Sequence, residues 1–267
     1  MGAVDAETAR RALSIAMDEG VTHFDVARSY GFGQAEQFLG EFIHHRRQQV
    51  VIASKFGITA TMAAIPLRLF KPLVRPFTQK KRGAKPSSEA VAKPARASSR
   101  FSPANLFLKR VRLVPLAMER SLEKSLQELR TDYLDYFFLH EPLETVPQIE
   151  DILAAADGLK KAGKIRAFGL AYLQEQAGLH REYLSHFDLL QMNNSPGFPN
   201  YSQLMKERGQ LPNIFFSPFQ KTKATSTVEV GQPKDILHQL SSDFPASVIL
   251  ASMFNENHIR ENIRAIQ

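Results

Sequence analysis

Two hydrophobic periods take turns along the chain, one helical and one strand-like. Residues 5–19 carry apolar positions at Ala9, Leu13, Ile15 and Met17 and stop at Gly20, which predicts a helix. The short apolar run VTHFDVA at 21–27 predicts a buried strand. The same reading gives helices over 34–44, 115–130, 148–162, 174–186, 200–208 and 233–241, and in the closing NENHIRENIRAI. It gives strands over 50–56, 132–140, 165–172, 189–194, 214–219 and 248–254.

Seven strands, each followed by a helix, with one helix in front, predict an α/β fold with a parallel sheet covered by helices. A doubly wound sheet that binds a dinucleotide carries G-x-G-x-x-G after its first strand. Here Gly31-Phe32-Gly33 is followed by Gln34, Ala35 and Glu36, so the third glycine is missing. The count fits a TIM (β/α)8 barrel from which the first strand is absent in this reading.

Residues 58–112 interrupt the alternation and hold six of the 15 prolines. They carry 13 basic side chains against one acid, Glu89, leaving 21 basic against 26 acidic side chains elsewhere. The basic balance of the whole protein, +7, therefore belongs to this segment. Its polar middle, Thr78 to Arg100, is expected to be disordered. The stretch before it, MAAIPLRLFKPLVRPF, suits either an anionic membrane surface or a solvated insertion, and the second is the simpler reading. The expected organisation is one barrel domain over 1–267, interrupted at about 58–112.

Composition narrows the chemistry. With no cysteine, thiolate catalysis, disulfides and Cys-ligated metals are excluded. The start MGAVDAETARR lacks the basic and apolar regions of a signal peptide, and no apolar run is long enough for a transmembrane segment. A cytoplasmic location is expected. Spacing suited to a metal site is absent, and the basic run has too few interleaved aromatics to predict nucleic-acid binding.

In a barrel of this kind the chemistry lies where the strands end at their C-terminal side. Asp25 and then Tyr30 follow the first strand in FDVARSYG; Lys55 ends the next in IASKFG; His140 ends another in FFLHEP. Each alone has an ordinary structural reading. Together they would make a proton-transfer site, with the lysine lowering the phenol's pKa, the carboxylate holding the lysine, and a neutral imidazole polarising a carbonyl.

The strings DEGVTHFDVARSYGFGQAEQFLGEFI, VVIASKFG, SLEKSLQELRTDYLDYFFLHEP and KKAGKIRAFGLAY resemble the aldo-keto reductases in order and context. The resemblance runs from about residue 7 to the end, outside 58–112. It implies a TIM barrel, NADPH as cofactor with NADH as the alternative, and hydride transfer to or from a small-molecule carbonyl substrate. It implies Asp25, Tyr30, Lys55 and His140 as the catalytic set, with Tyr30 as general acid. It further implies Gln191 on the carboxamide, Phe216 stacked on the nicotinamide, Ser217 by the pyrophosphate, and Glu261 and Asn262 at the adenine.

Three departures accompany the resemblance. Where the family has Ser-Asn, this chain reads Ala171-Tyr172, and His258 stands where the family places an arginine for the 2′-phosphate. The family's first strand would precede residue 7. The expected function is therefore an NAD(P)H-dependent oxidoreductase acting on an aldehyde, ketone or sugar carbonyl. The alternative is a non-catalytic relative that senses cofactor or binds a partner. Substrate and oligomeric state are not readable from the sequence.

Overall fold

A computed structural model describes residues 5–61, 107–219, 232–251 and 253–266. The segments read above as disordered (78–100) and as a basic apolar stretch (62–77) lie outside the described residues.

Seven parallel strands form one sheet: β1 (His23–Asp25), β2 (Val51–Phe56), β5 (Leu134–His140), β6 (Ile165–Tyr172), β7 (Leu189–Asn193), β8 (Asn213–Phe216) and β9 (Val248–Ile249). They are hydrogen-bonded in chain order, as right-handed β–α repetition dictates. The helices between them are α1 (Ala6–Asp18), α2 (Ala35–Ile43), α3 (Pro115–Leu129), α4 (Ile149–Lys161), α5 (Ala177–His180), α6 (Tyr201–Arg208), α7 (Pro233–Asp243) and α8 (Glu256–Arg264). This is the near-barrel form of the (β/α)8 fold, with seven parallel strands among the described residues.

The structure corrects the sequence reading in several places. Residues 58–112 are not wholly outside the sheet architecture: β3 (Ile58–Ala60) and β4 (Leu108–Arg110) pair antiparallel above the end of β2. The helix expected over 174–186 is broken into two 3₁₀ turns flanking the four-residue α5. The strand expected over 214–219 ends at Phe216, because Ser217 turns to φ 53° and Pro218 has no N–H to offer the ladder.

Alternation along the strands builds two cores. Ala53, Phe138, Ala171, Leu189 and Ile214 fill the inside of the curved sheet. Ile52, Phe137, Leu139, Phe168, Leu170 and Phe215 face outward and pack under Leu39, Ile43, Met118, Leu122 and Ile152 of the helices. Burying each of these side chains is worth about 1.5–3 kcal/mol. Inside, Gly169 makes room for a large neighbour: a Cβ there would lie 2.3 Å from the Phe138 ring.

The end of the sheet opposite the chemistry is pinned by Asp135, which is 2% exposed. Its carboxylate accepts from Arg47 at 2.8 Å, from Arg166 at 2.7 Å and from the Ile52 N–H at 2.9 Å. The two guanidinium groups also lie over the Tyr133 ring, at 3.8 and 4.6 Å from its centre. Among the described residues, no helix is long and apolar enough to cross a membrane.

Candidate active site

Strands β1, β2 and β5 are consecutive in the sheet, so their C-terminal ends bring Asp25, Lys55 and His140 to one rim. Tyr30 reaches the same place from the loop after β1. That loop turns through Gly31 (φ 58°), Phe32 (φ 58°) and Gly33 (φ 83°) before α2 begins. Glycine adopts this left-handed region freely, and Phe32 does so at a cost.

The four side chains touch in sequence. Lys55, 2% exposed, donates to the Asp25 carboxylate and to the Val26 carbonyl at 3.1 Å. Its ammonium lies 4.7 Å from the centre of the Tyr30 ring. The Tyr30 and His140 rings meet edge to face, 5.8 Å apart at 78°. Gln191, on β7, donates to the second Asp25 oxygen at 2.8 Å.

Burial and charge set the protonation states. Burial disfavours the Lys55 charge, but Asp25 and Tyr30 outweigh it and hold the ammonium above its usual pKa. Burial pushes His140 down to about 3, helped by the charges of Lys55 and Arg110, so its imidazole is neutral. Tyr30 is 40% exposed and lines a concave cleft. Burial raises its pKa above 10.0, and Lys55 opposes that rise without cancelling it. The expectation that lysine lowers the phenol's pKa holds for the sign of that interaction, not for the net position. A protonated phenol beside a fixed ammonium can donate a proton, and a neutral imidazole can orient an oxygen.

The cleft over this rim has a volume of about 1180 Å³, and Asp25, Tyr30, Lys55, His140, Gln191, Phe216, Ser217 and Asn262 line it. Glu261 does not: it is exposed on α8, outside the lining. Asn262 donates to Met253 Sδ at 2.9 Å. His258 is exposed near the start of the same helix, where its N–H is capped by Asn255. A smaller hollow of about 410 Å³ lies between Glu119, Lys124 and Lys164 on the helices, away from the strand ends. No group of acids, histidines or cysteines suited to a metal occurs among the described residues.

One buried atom of the cleft wall favours an amide-bearing ligand. Gln191 Oε1 has no hydrogen-bond partner among the described residues. Gln191 is 2% exposed and its oxygen can accept from a carboxamide NH₂. The Ala171-Tyr172 pair cannot add to this. Ala171 presents a methyl group, and Tyr172 is buried with its hydroxyl on Met192 Sδ at 3.7 Å.

Sequence reasoning missed Glu36 and Arg110. Arg110, on β4, donates to the Glu141 carbonyl at 2.6 Å, next to His140. Glu36 carried a readable signal: it shares the apolar stripe of α2 with Leu39, Gly40 and Ile43. A charge at such spacing marks a buried pairing.

The family model described as the aldo/keto reductase family matches residues 1–197. The aldo-keto reductase YhdN of Bacillus subtilis is 30% identical over 172 residues, or 64% of this chain. An aldo-keto reductase of Schizosaccharomyces pombe, yakc [NADP(+)], is 26% identical over 172 residues. The matched segment amounts to 38% of the length of each of these relatives. Among solved structures, an aldo-keto reductase from Klebsiella pneumoniae in complex with NADPH superposes with a TM-score of 0.64 at 20% identity. That match covers 100% of this chain and 82% of the other. The aldo-keto reductase AKR11C1 from Bacillus halodurans, holo form, gives 0.61 at 17% identity, covering 99% and 82%. At these identities the structural matches show the fold.

Proposed function

The chain belongs to the aldo/keto reductase family, and on that premise we propose that it is an NAD(P)H-dependent oxidoreductase that reduces an aldehyde, ketone or sugar carbonyl. One observation carries the proposal: Asp25, Lys55, Tyr30 and His140 form one contiguous cluster at the strand ends, in the mouth of a cleft.

The roles follow from the protonation states. Tyr30, a phenol held protonated, donates its proton to the carbonyl oxygen and is the general acid. Lys55 stabilises the phenolate that results, since its charge is already fixed beside the ring. Asp25 keeps Lys55 in place, and the neutral His140 orients the carbonyl oxygen. The nicotinamide, when bound, supplies the hydride that adds to the carbonyl carbon. The orphaned Gln191 Oε1 fits its carboxamide, and Phe216 and Ser217 line the wall beside it. Asn262, which lines the cleft, would meet the adenine. The Schizosaccharomyces pombe relative named for NADP(+) and the Klebsiella pneumoniae complex with NADPH support NADPH as the cofactor, with NADH as the alternative. A cytoplasmic setting suits a cysteine-free reductase of small carbonyls.

The methyl of Ala171 and the buried Tyr172 favour a second reading, a weak or non-catalytic member that senses cofactor. A fluorescence titration with NADPH and NADH, followed by a panel of aldehydes, ketones and aldoses, separates the two. The leading reading predicts saturable NADPH binding and carbonyl-dependent oxidation. Binding without turnover on any carbonyl would favour the second.

A further inference from the structure

Glu36 is a buried carboxylate, 3% exposed, that the proposed chemistry does not use. It sits in the first turn of α2 and holds two partners. Its Oε1 accepts from Ser54 Oγ at 2.6 Å, and its Oε2 accepts from Arg28 Nη1 at 3.2 Å. Both partners have telling neighbours. Ser54 immediately precedes Lys55 on β2, and Arg28 lies between Asp25 and Tyr30 in the loop after β1. The Arg28 side chain is itself largely buried.

A single carboxylate thus ties the segment that carries the ammonium to the segment that carries the phenol. The tie matters because the loop backbone has conformational latitude beside Tyr30. Three successive residues, Gly31, Phe32 and Gly33, have left-handed backbone, and two of them are glycines with wide conformational freedom. A buried ion pair adds little net stability over apolar residues of the same shape, but it can fix one arrangement among several.

We propose that Glu36 is a positioning residue: acting through Arg28 and Ser54, it clamps the Tyr30 loop against β2 and sets the approach of the Tyr30 hydroxyl to Lys55. The inference rests on reading Tyr30 as the proton donor. It assigns no contact between Glu36 and substrate.

The test reads Tyr30 directly, without substrate. Subtracting the phenolate absorbance titration of Tyr30→Phe from that of the unaltered protein isolates Tyr30. The same subtraction is then made in a Glu36→Gln background, which keeps an acceptor for Ser54 and removes the charge facing Arg28. The groups that act on Tyr30 are Lys55, Asp25 and Glu141, with the His140 ring at its edge. Those that act on Glu36 are Ser54, Arg28 and, from α3, Ser125 and Glu128. Losing the clamp takes Tyr30 out of both its buried setting and the Lys55 field, and because burial is the larger of the two, its midpoint falls towards 10.0. Arg28→Lys, which keeps a cation opposite Glu36, leaves the midpoint near its original value. An unchanged or raised midpoint in Glu36→Gln overturns the proposal, even if the variant melts earlier, because a merely structural carboxylate changes stability alone. If Glu36→Gln does not fold, the Arg28→Met/Glu36→Gln pair removes both charges together, and the same downward shift is required of it. In turnover assays, the clamp predicts a kcat fall of roughly tenfold with NADPH affinity unchanged. An unaltered protein that reduces no carbonyl would overturn the functional reading instead, leaving the phenolate titration to decide the clamp.

Discussion

Gln191 Nε2 donates to Asp25 Oδ2 at 2.8 Å, which joins β7 to β1 across the mouth of the sheet although the two strands are not neighbours. The other Asp25 oxygen is occupied by Lys55. The carboxylate that holds the lysine is therefore itself held by the residue whose free oxygen suits the cofactor amide. Cofactor binding and acid–base geometry meet at one glutamine.

Replacing that glutamine should disturb both. Gln191→Met removes the bond to Asp25 and the acceptor for the carboxamide while keeping the side chain's length. NADPH affinity should fall roughly tenfold, the worth of one hydrogen bond to a polar or charged partner, and kcat should fall with it. Fluorescence titration and initial rates measure the two separately.

The pH dependence follows from the two shifted groups. His140 is neutral well below its ordinary 6.5, so the reduction rate should show no limb near pH 6.5. The general acid is lost only as Tyr30 ionises, and its pKa lies above 10.0, so the rate should decline only on the alkaline side. Stability has the opposite window. The His140 pKa is depressed from 6.5 to about 3, so its contribution is full above pH 6.5 and is lost as pH falls towards 3. His23 and His180 are also lowered by burial and add to the same trend. Chemical denaturation at several pH values should show His140→Gln with a shallower acid slope than the unaltered protein.

Cofactor preference should respond to position 258. His258 is exposed on α8, and Arg260 of that helix is engaged by Glu19 and Glu256. His258→Arg supplies a permanent cation for a 2′-phosphate. NADPH should bind roughly tenfold tighter while NADH binding stays as it was. Parallel titrations check it.

Two helix glycines make opposite predictions. A Cβ at Gly40 would lie 2.5 Å from the Glu128 carbonyl and 2.7 Å from Leu129 backbone atoms, where α2 crosses α3. Gly40→Ala should destabilise by about 1–3 kcal/mol. A Cβ at Gly158 meets nothing within 4 Å, so Gly158→Ala should stabilise by about 0.5–1 kcal/mol. Denaturant midpoints measure both.

The sheet was legible in the sequence because each inner strand is an apolar run, and Ile165–Tyr172 has the limits its pattern predicts. Strand ends were less legible. Leu250 makes one more bond, to the Phe215 carbonyl at 2.7 Å, but β9 ends at Ile249, well short of 254. The apolar residues beyond, Met253 and Phe254, serve the contact between α1 and α8 instead. Pairing of β3 with β4 was not readable, because its two halves lie at opposite ends of a long basic segment and each is only 3 residues long. Asp25, Tyr30, Lys55 and His140 were legible by their strand-end positions, and the structure brings them into contact. Glu261 was placed by resemblance alone, and the structure sets it outside the cleft. The Glu36 clamp joins a loop residue, Arg28, and a strand residue, Ser54, through a helix residue, a meeting that only the fold assembles.

The central claim is that Tyr30 is the proton donor of a carbonyl reductase. Its most direct test compares NADPH oxidation by the unaltered protein and by Tyr30→Phe, at a carbonyl substrate that the unaltered protein turns over. The account predicts a kcat loss of about a hundredfold or more in Tyr30→Phe, with NADPH affinity unchanged. Equal rates in the two proteins would contradict it.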